Sequence, residues 1–169
     1  ANIPVRVDAK TGNVILLMDK NFLFKTDSAE LSNVAKKTLR RIIPIYSSVL
    51  LGDEEIRDNI TTFNIVGHAS PSYKASYVTP EEKYEIPYNY NMKLSARRAA
   101  SIASYIFSQS IGRYKYKMRL KTITRSVGQG YIKPVLKPKG RAIAGDRDHC
   151  GPYSCSLSQR VELSFSLKD

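Results

Sequence analysis

The scarcest reactive groups of the chain sit together in His149-Cys150-Gly151-Pro152-Tyr153-Ser154-Cys155, which holds both cysteines and one of the two histidines. Gly151-Pro152 supplies a tight turn that lets the two thiols approach. The run reads first as a disulfide between Cys150 and Cys155, and second as a pair of free thiols. A metal site using His149 is the third reading. Zinc takes four ligands, or three plus water, and the other histidine, His68, is remote in sequence. A disulfide would indicate an oxidising compartment, the periplasm or the cell exterior. A hydrolase needs a base beside a nucleophile, or a metal. The sequence has two histidines and shows no base–nucleophile or metal constellation, so it is read as a non-enzyme with no cofactor.

Charge is the second source of chemistry. Lys and Arg number 27 against 15 Asp and Glu, a formal net charge of +12. Such an excess suits an anionic partner, whether nucleic acid, a membrane surface or an acidic polymer. Basic and aromatic residues interleave in Arg113-Tyr114-Lys115-Tyr116-Lys117, and Lys133, Lys137, Lys139 and Arg141 form a second basic tract. Patches of this kind can hold phosphates, but no nucleic-acid-binding motif accompanies them. Nucleic acid is therefore the minor reading.

The elements that must position these groups can be followed along the chain. Val5 and Val7, then 13–18, read as two strands around a Gly12-Asn13 turn, the chemistry of a hairpin. Asn21-Phe22-Leu23-Phe24 leads to Ser28-Ala29-Glu30-Leu31, where a helix is expected to start with Asp27 or Ser28 as its cap. Leu31, Val34, Ala35, Leu39, Ile42 and Ile43 recur at helical spacing, and Pro44 is expected to kink or end that helix. The β-branched segment 60–66 reads as a central strand ending at Gly67-His68-Ala69-Ser70. Segment 71–88 has no period, holds Pro71, Pro80 and Pro87 with four tyrosines, and reads as a long surface loop, of a length that is functional or mobile. Segment 91–110 is the clearest helix, with Ala99, Ile102, Ala103, Ile106 and Phe107 as its apolar stripe and Gly112 as its stop. A strand at 120–126, a Gly128-Gln129-Gly130-Tyr131 turn, an irregular basic stretch at 133–148 and an alternating strand at 160–167 complete the chain.

The order β-β-α-β-α-β predicts an α+β fold, a mixed sheet with helices packed on one face. The composition, 42% hydrophobic and 25% charged, is globular. With no repeat and no composition break, 1–169 is expected to be a single domain. The most apolar stretch, 42–51, is interrupted by Pro44, Tyr46, Ser47 and Ser48 and falls short of the roughly 18 residues a membrane span needs. Ala1-Asn2-Ile3-Pro4 leads straight into the first strand pattern, with no signal peptide visible.

Five segments also fall in a familiar order. They are Phe24 with Ser28-Ala29-Glu30-Leu31; Ile65-Val66-Gly67-His68; Tyr90-Asn91-Met92-Lys93-Leu94-Ser95-Ala96-Arg97-Arg98-Ala99; Gly128-Gln129-Gly130-Tyr131-Ile132-Lys133-Pro134-Val135; and Ser158-Gln159-Arg160-Val161-Glu162-Leu163. Together they resemble the OmpA-like peptidoglycan-binding domain, also found in MotB-type flagellar stator subunits and in Pal lipoproteins. The resemblance runs from about Val14 to Leu167, and its most specific piece is the Tyr-Asn-x-x-Leu-Ser-x-x-Arg-Ala run.

The resemblance implies an OmpA-like β-α-β-α-β layer with a long inserted loop, 71–88. It also implies binding of the peptidoglycan stem peptide, through a diaminopimelate carboxylate, without chemical turnover. Arg98 is expected near the start of the second helix, where a guanidinium grips a carboxylate with two parallel hydrogen bonds. Amides of that helix's first turn near Asn91 would add donors. Asn91 is a cap or a ligand contact, Leu94 a pocket wall or core, and Tyr90 a contact or packing. Arg160 stands where the family keeps a basic residue near the site. His68 is expected to be structural, and Ala99 core.

The sequence departs from the family in two places. The family's Gly-His-Thr-Asp becomes Gly67-His68-Ala69-Ser70, so the carboxylate that receives the ligand's ammonium is missing. The spacing from Ser70 to Arg98 is also longer than the family's. Ala69 and Ser70 are kept as site candidates, and Glu81, Glu82 and Glu85 in the insertion are candidate substitute carboxylates; otherwise the insertion is a lid.

The expected role is a non-catalytic wall anchor in the periplasm or cell envelope. The owner would be a homodimeric motor subunit of the stator class, which includes ZorB-type subunits of the Zorya anti-phage system. Membrane-embedded partner subunits would be reached through an inner-membrane segment upstream of Ala1. The alternative is an OmpA-like lipoprotein or secretion-system component with a structural role and weak or absent peptidoglycan binding.

Overall fold

The computed structural model describes residues 5–7, 10–17, 23–25, 27–81, 84–140, 142–143 and 145–168. Residues 1–4, 18, 21, 22, 82 and 141, which the expectations above include, lie outside these described residues. The elements are β1 (Val5–Val7), β2 (Val14–Leu17), α1 (Asn33–Gly52), α2 (Glu54–Asn59), β3 (Ile60–His68), β4 (Ser72–Tyr73), β5 (Ser76–Tyr77), α3 (Glu85–Ile106), α4 (Lys117–Ile123), β6 (Thr124–Gly128), α5 (Cys155–Ser158) and β7 (Arg160–Leu167).

The five-stranded sheet has the order β1-β2-β7-β3-β6. Its pairs are antiparallel except β3 with β6, which run parallel. The register explains the two faces. Phe63 pairs with Phe165, Ile65 with Leu163 and Gly67 with Val161, and Phe63, Ile65, Val161 and Leu163 are fully buried beneath the helices. Alternate positions carry Thr62, Asn64, Ser164 and Ser166 to the other face, where Asn64 donates to Thr62 and Ser166. A sheet with one packed and one polar face is what strict two-residue alternation produces. The mixed sheet with helices on one face is therefore the observed fold.

Helix boundaries shift where local signals compete. The first helix begins at Asn33, capped by the Ser32 hydroxyl accepting from Ala35 N–H, rather than at Ser28. Leu31 instead makes an isolated bridge with Phe24, and Ser32 N–H donates to Leu23, which brings 23–24 against 31–32 in a turn. Asp27 sits in that turn with φ of 54°. Val34, assigned to the buried stripe, is exposed. Pro44 neither kinks α1 into two elements nor ends it. Buried contacts on both sides, Leu39 and Ile43 before it and Leu50 and Leu51 after it, hold the helix through the missing N–H.

Helix α3 starts at Glu85, six residues before Asn91, and ends at Ile106 rather than running to 110. Pro87 lies in its first turn, where a missing N–H costs nothing. The rest of the inserted segment is not a bare loop either. β4 and β5 form a small hairpin, Val78 is buried, and its N–H donates to Pro71. A helix, α4, occupies 117–123, so the strand expected at 120–126 runs 124–128. The basic–aromatic run is largely consumed internally. Lys117 Nζ donates to the carbonyls of Ser108 and Gly112, and the Tyr114 hydroxyl donates to Ile106.

Two glycines set the height of α3 above the sheet. Gly67 and Gly128 are partners across β3 and β6. A Cβ on Gly67 would stand 2.2 Å from the Ser95 carbonyl oxygen, and one on Gly128 2.5 Å from the Ala96 nitrogen. Ser95 completes the seat: its hydroxyl donates to Met92 and accepts from Gly130 N–H.

Cys150 and Cys155 are joined in a disulfide with Cα atoms 5.5 Å apart. His149 lies within 4.8 Å of both sulfurs by ligand atom, so the cysteines are engaged with each other beside it. Closing a six-residue ring stabilises by about 2 kcal/mol in the chain-entropy model. Adding a thiol reductant is therefore expected to lower Tm by roughly 4–8 °C. A thermal melt unchanged by reductant would show that the bridge constrains nothing.

Candidate functional site

Seating α3 on the glycines aims one of its faces at a cavity. Asn91, Leu94 and Arg98, spaced three and four apart, lie on that face, with Tyr90 beside them. The cavity has a volume of about 340 Å³. Its other walls are Ala69 and Ser70 after β3, Ser72 to Ala75 of the β4–β5 hairpin, Asp27 of the turn before α1, Arg147 and His149 beside the disulfide, and Gln159 before β7.

Arg98 is the dominant group. It is 4% exposed, with its guanidinium over the Phe24 ring at 5.3 Å. Nε donates to the Ser28 carbonyl at 2.9 Å and Nη2 to the Lys25 carbonyl at 3.4 Å. A guanidinium has five N–H groups, so these ties fix its plane, and its other N–H groups have no hydrogen-bond partner among the described residues. Burial lowers its pKa to about 10. Asp27 and Tyr90 act to raise that value, and Arg147 to lower it. Arg98 is thus fully cationic at neutral pH, in a partly dry setting where its charge acts strongly.

Asp27 is the cavity's carboxylate. The Tyr90 hydroxyl donates to its Oδ1. Burial and that bond hold the Tyr90 phenol up at about 12, so it remains a donor. Tyr73 packs edge-on against Tyr90 at 5.4 Å, making an aromatic wall. At the hairpin tip, Lys74 and Ala75 have φ of 48° and 57°, a left-handed turn that costs non-glycine residues about 1–2 kcal/mol each. Lys74 is exposed and lines the cavity, with its Nζ 5.5 Å from the Tyr73 ring centroid.

The structure gathers Ala69, Ser70, Tyr90, Asn91, Leu94 and Arg98 as lining residues. Arg98 lies well inside α3, not near its start, because the helix begins at Glu85. For the same reason Asn91 is no cap, and the first-turn amides are remote from it. Its side chain donates to the carbonyls of Ser72 and Pro87, tying the hairpin to α3. The Ser70 hydroxyl lies 3.0 Å from the Ser72 hydroxyl and accepts from Gln159.

Three candidates lie elsewhere. Glu81 and Glu85 are exposed and outside the cavity lining, and Glu82 is outside the described residues. Arg160 is also outside the lining. Its Nε donates to Glu162 Oε1 at 2.7 Å and its Nη1 to the carbonyls of Lys133 and Ser158. Sequence reasoning weighed Asp27 only as a cap and did not assign Tyr73, Lys74, Arg147, His149 or Gln159 to the site. They come from separate loops, so no local spacing pattern marks them.

Arg160 and Glu162 belong to a structural group with His68, on the sheet's other face. His68 Nε2 is 3.7 Å from Glu162 Oε2, beyond hydrogen-bond reach, and its ring nitrogens have no hydrogen-bond partner among the described residues. His68 and the bonded Arg160 hold the Glu162 carboxyl at about 2, against burial. A carboxyl depressed in the folded state contributes stability that is complete above its ordinary value and is lost as pH falls toward 2. The side chain is 27% exposed, so about 1–2 kcal/mol is at stake after screening. Glu162→Gln is expected to lower Tm at pH 7 and to flatten its decline between about pH 5 and pH 2.5. Parallel Tm–pH curves for variant and wild type would contradict this.

No family model matches the sequence, and no curated protein is similar to it in sequence. Solved structures do match. The periplasmic domain of Helicobacter pylori MotB (residues 78–256) aligns with a TM-score of 0.56 at 14% identity, over 98% of this chain and 82% of that one. A MotB-like protein from Desulfovibrio vulgaris aligns with a TM-score of 0.52 at 16% identity, over 98% and 78%. At such identities the likeness is one of fold.

Proposed function

We propose that this chain, which has the MotB-type, OmpA-like fold, is a single domain that holds the stem peptide of cell-wall peptidoglycan without turning it over. One observation carries the reading: a buried arginine, fixed by two carbonyls, and one carboxylate, Asp27, line the same cavity. A diaminopimelate side arm carries a carboxylate and an ammonium on one carbon. Arg98 takes the carboxylate with paired, charge-assisted bonds. Asp27, with Oδ1 bonded to Tyr90, offers its other oxygen to the ammonium. It thereby replaces the family aspartate absent at Ser70. Leu94 and the Tyr73–Tyr90 pair pack the aliphatic arm.

The wider reading is a wall anchor in the periplasm, for a homodimeric stator-like subunit with a membrane-embedded partner. It is supported by the fold shared with periplasmic MotB domains and by a disulfide suited to that compartment. No described helix is long and apolar enough to cross a membrane. The test is co-sedimentation with purified insoluble peptidoglycan. The wild-type chain is expected in the pellet, displaced by soluble diaminopimelate-containing stem peptide. Recovery in the supernatant, or sedimentation that the stem peptide does not displace, would overturn the reading.

A further inference from the structure

We infer that the cavity takes a ligand with two free carboxylates around one ammonium, Arg147 reading the second carboxylate. The inference rests on the peptidoglycan reading above and narrows it to a particular stem-peptide end.

The charge balance of the cavity points this way. Its lining holds one carboxylate, Asp27, against three permanent cations, Arg98, Arg147 and Lys74. Arg98 and Asp27 offset each other. Arg147 stands close enough to Arg98 to disfavour its charge. Among the described residues the Arg147 guanidinium has no hydrogen-bond or ion-pair partner, and the Lys74 amine has only the Tyr73 ring, at 5.5 Å. Two guanidinium groups facing one small cavity repel until an anion enters between them. A ligand with one carboxylate and one ammonium satisfies Arg98 and Asp27 and leaves that repulsion in place. A second carboxylate removes it.

Arg147 is also held in place. Its backbone N–H donates to Asp146 Oδ1 at 3.0 Å, and the same oxygen accepts from Ser156 N–H at 2.9 Å, in α5. The disulfide joins Cys155 of α5 back to Cys150. On the far side, Tyr77 of the hairpin lies against Gly151, where an added Cβ would meet its ring at 2.8 Å. The staple, the Asp146 clamp and the hairpin thus fix the segment that carries the second cation.

The test uses calorimetric titration of the chain with two synthetic tripeptides ending in diaminopimelate. They are identical except that one has its C-terminal carboxylate amidated. Wild type is expected to bind the free acid about tenfold more tightly, the worth of one charge-assisted contact at a cavity rim. Arg147→Ala, an exposed substitution, is expected to bind both peptides with the wild type's affinity for the amide. Equal wild-type affinity for the two peptides, or an undiminished preference in Arg147→Ala, would overturn this inference and leave the peptidoglycan reading standing. Binding of neither peptide by wild type would overturn both.

Discussion

Arg98→Ala is expected to lower affinity for peptidoglycan by roughly 30-fold to several thousand-fold, the 2–5 kcal/mol lost when one member of a buried charged pair is truncated. The effect is large because the guanidinium is already desolvated and oriented before the ligand arrives. Little ordering entropy remains to be spent on binding, so most of the contact energy appears as affinity. Alanine also removes the ties to Lys25 and Ser28 and the packing on Phe24, which position the turn carrying Asp27. Two companions separate these roles. Arg98→Lys keeps the charge but loses the planar fork, and is expected to fold and still bind poorly. Asp27→Asn keeps the turn and removes only the exposed carboxylate. It is expected to weaken binding by about tenfold while thermal stability changes by no more than about 0.5 kcal/mol. A folded Arg98→Ala chain with wild-type sedimentation would remove the cavity from consideration.

Gly67→Ala and Gly128→Ala are each expected to destabilise the fold by about 3 kcal/mol, with Tm falling by roughly 6–12 °C. At neither position does φ require glycine. The cause is contact: the added methyl would stand at 2.2 Å or 2.5 Å from backbone atoms of α3, which no side-chain rotation relieves. The helix must lift, and with it the face that carries Asn91, Leu94 and Arg98. Gly112→Ala is the informative contrast. Its φ of 89° makes alanine strained, but nothing lies within 4 Å, so about 1–2 kcal/mol is expected. Binding measured well below each variant's Tm is expected to fall with Gly67→Ala and Gly128→Ala and to persist with Gly112→Ala. Chemical denaturation placing all three within 0.5 kcal/mol of wild type would show that α3 is not seated as described.

These two predictions draw on different amounts of sequence information. The glycines, the run Tyr90 to Ala99 and the alternating strands β3 and β7 are local patterns. Each states its own element, and their order states the fold. Arg98 was legible for that reason. The start of α3 was not, because Pro87 and the tyrosines around it imitate a loop when a first-turn proline is read as a breaker. The cap of α1 was misplaced because Asp27, Ser28 and Ser32 are all acceptable caps, and the choice among them is made by the Phe24–Leu31 bridge. That choice matters to the site. Freed from capping, Asp27 turns to the cavity, where it meets an arginine far along the chain. The same holds for Lys74 and Arg147. Each enters from a loop whose path is set by tertiary contacts, so nothing in its own neighbourhood marks it as part of a site. The insertion is expected to supply a substitute carboxylate or a lid. It lines the cavity with Tyr73 and Lys74, and the carboxylate in that lining is Asp27, before α1.

Where a stem peptide binds decides between the cavity and every other surface. In a heteronuclear NMR titration with a soluble diaminopimelate-containing tripeptide, saturable shifts are expected at Asp27, Ser70, Tyr73, Asn91, Arg98 and Arg147. The exposed faces of α1 and α4 should stay unmoved. Saturable shifts centred on another surface, or none at millimolar peptide, would contradict it.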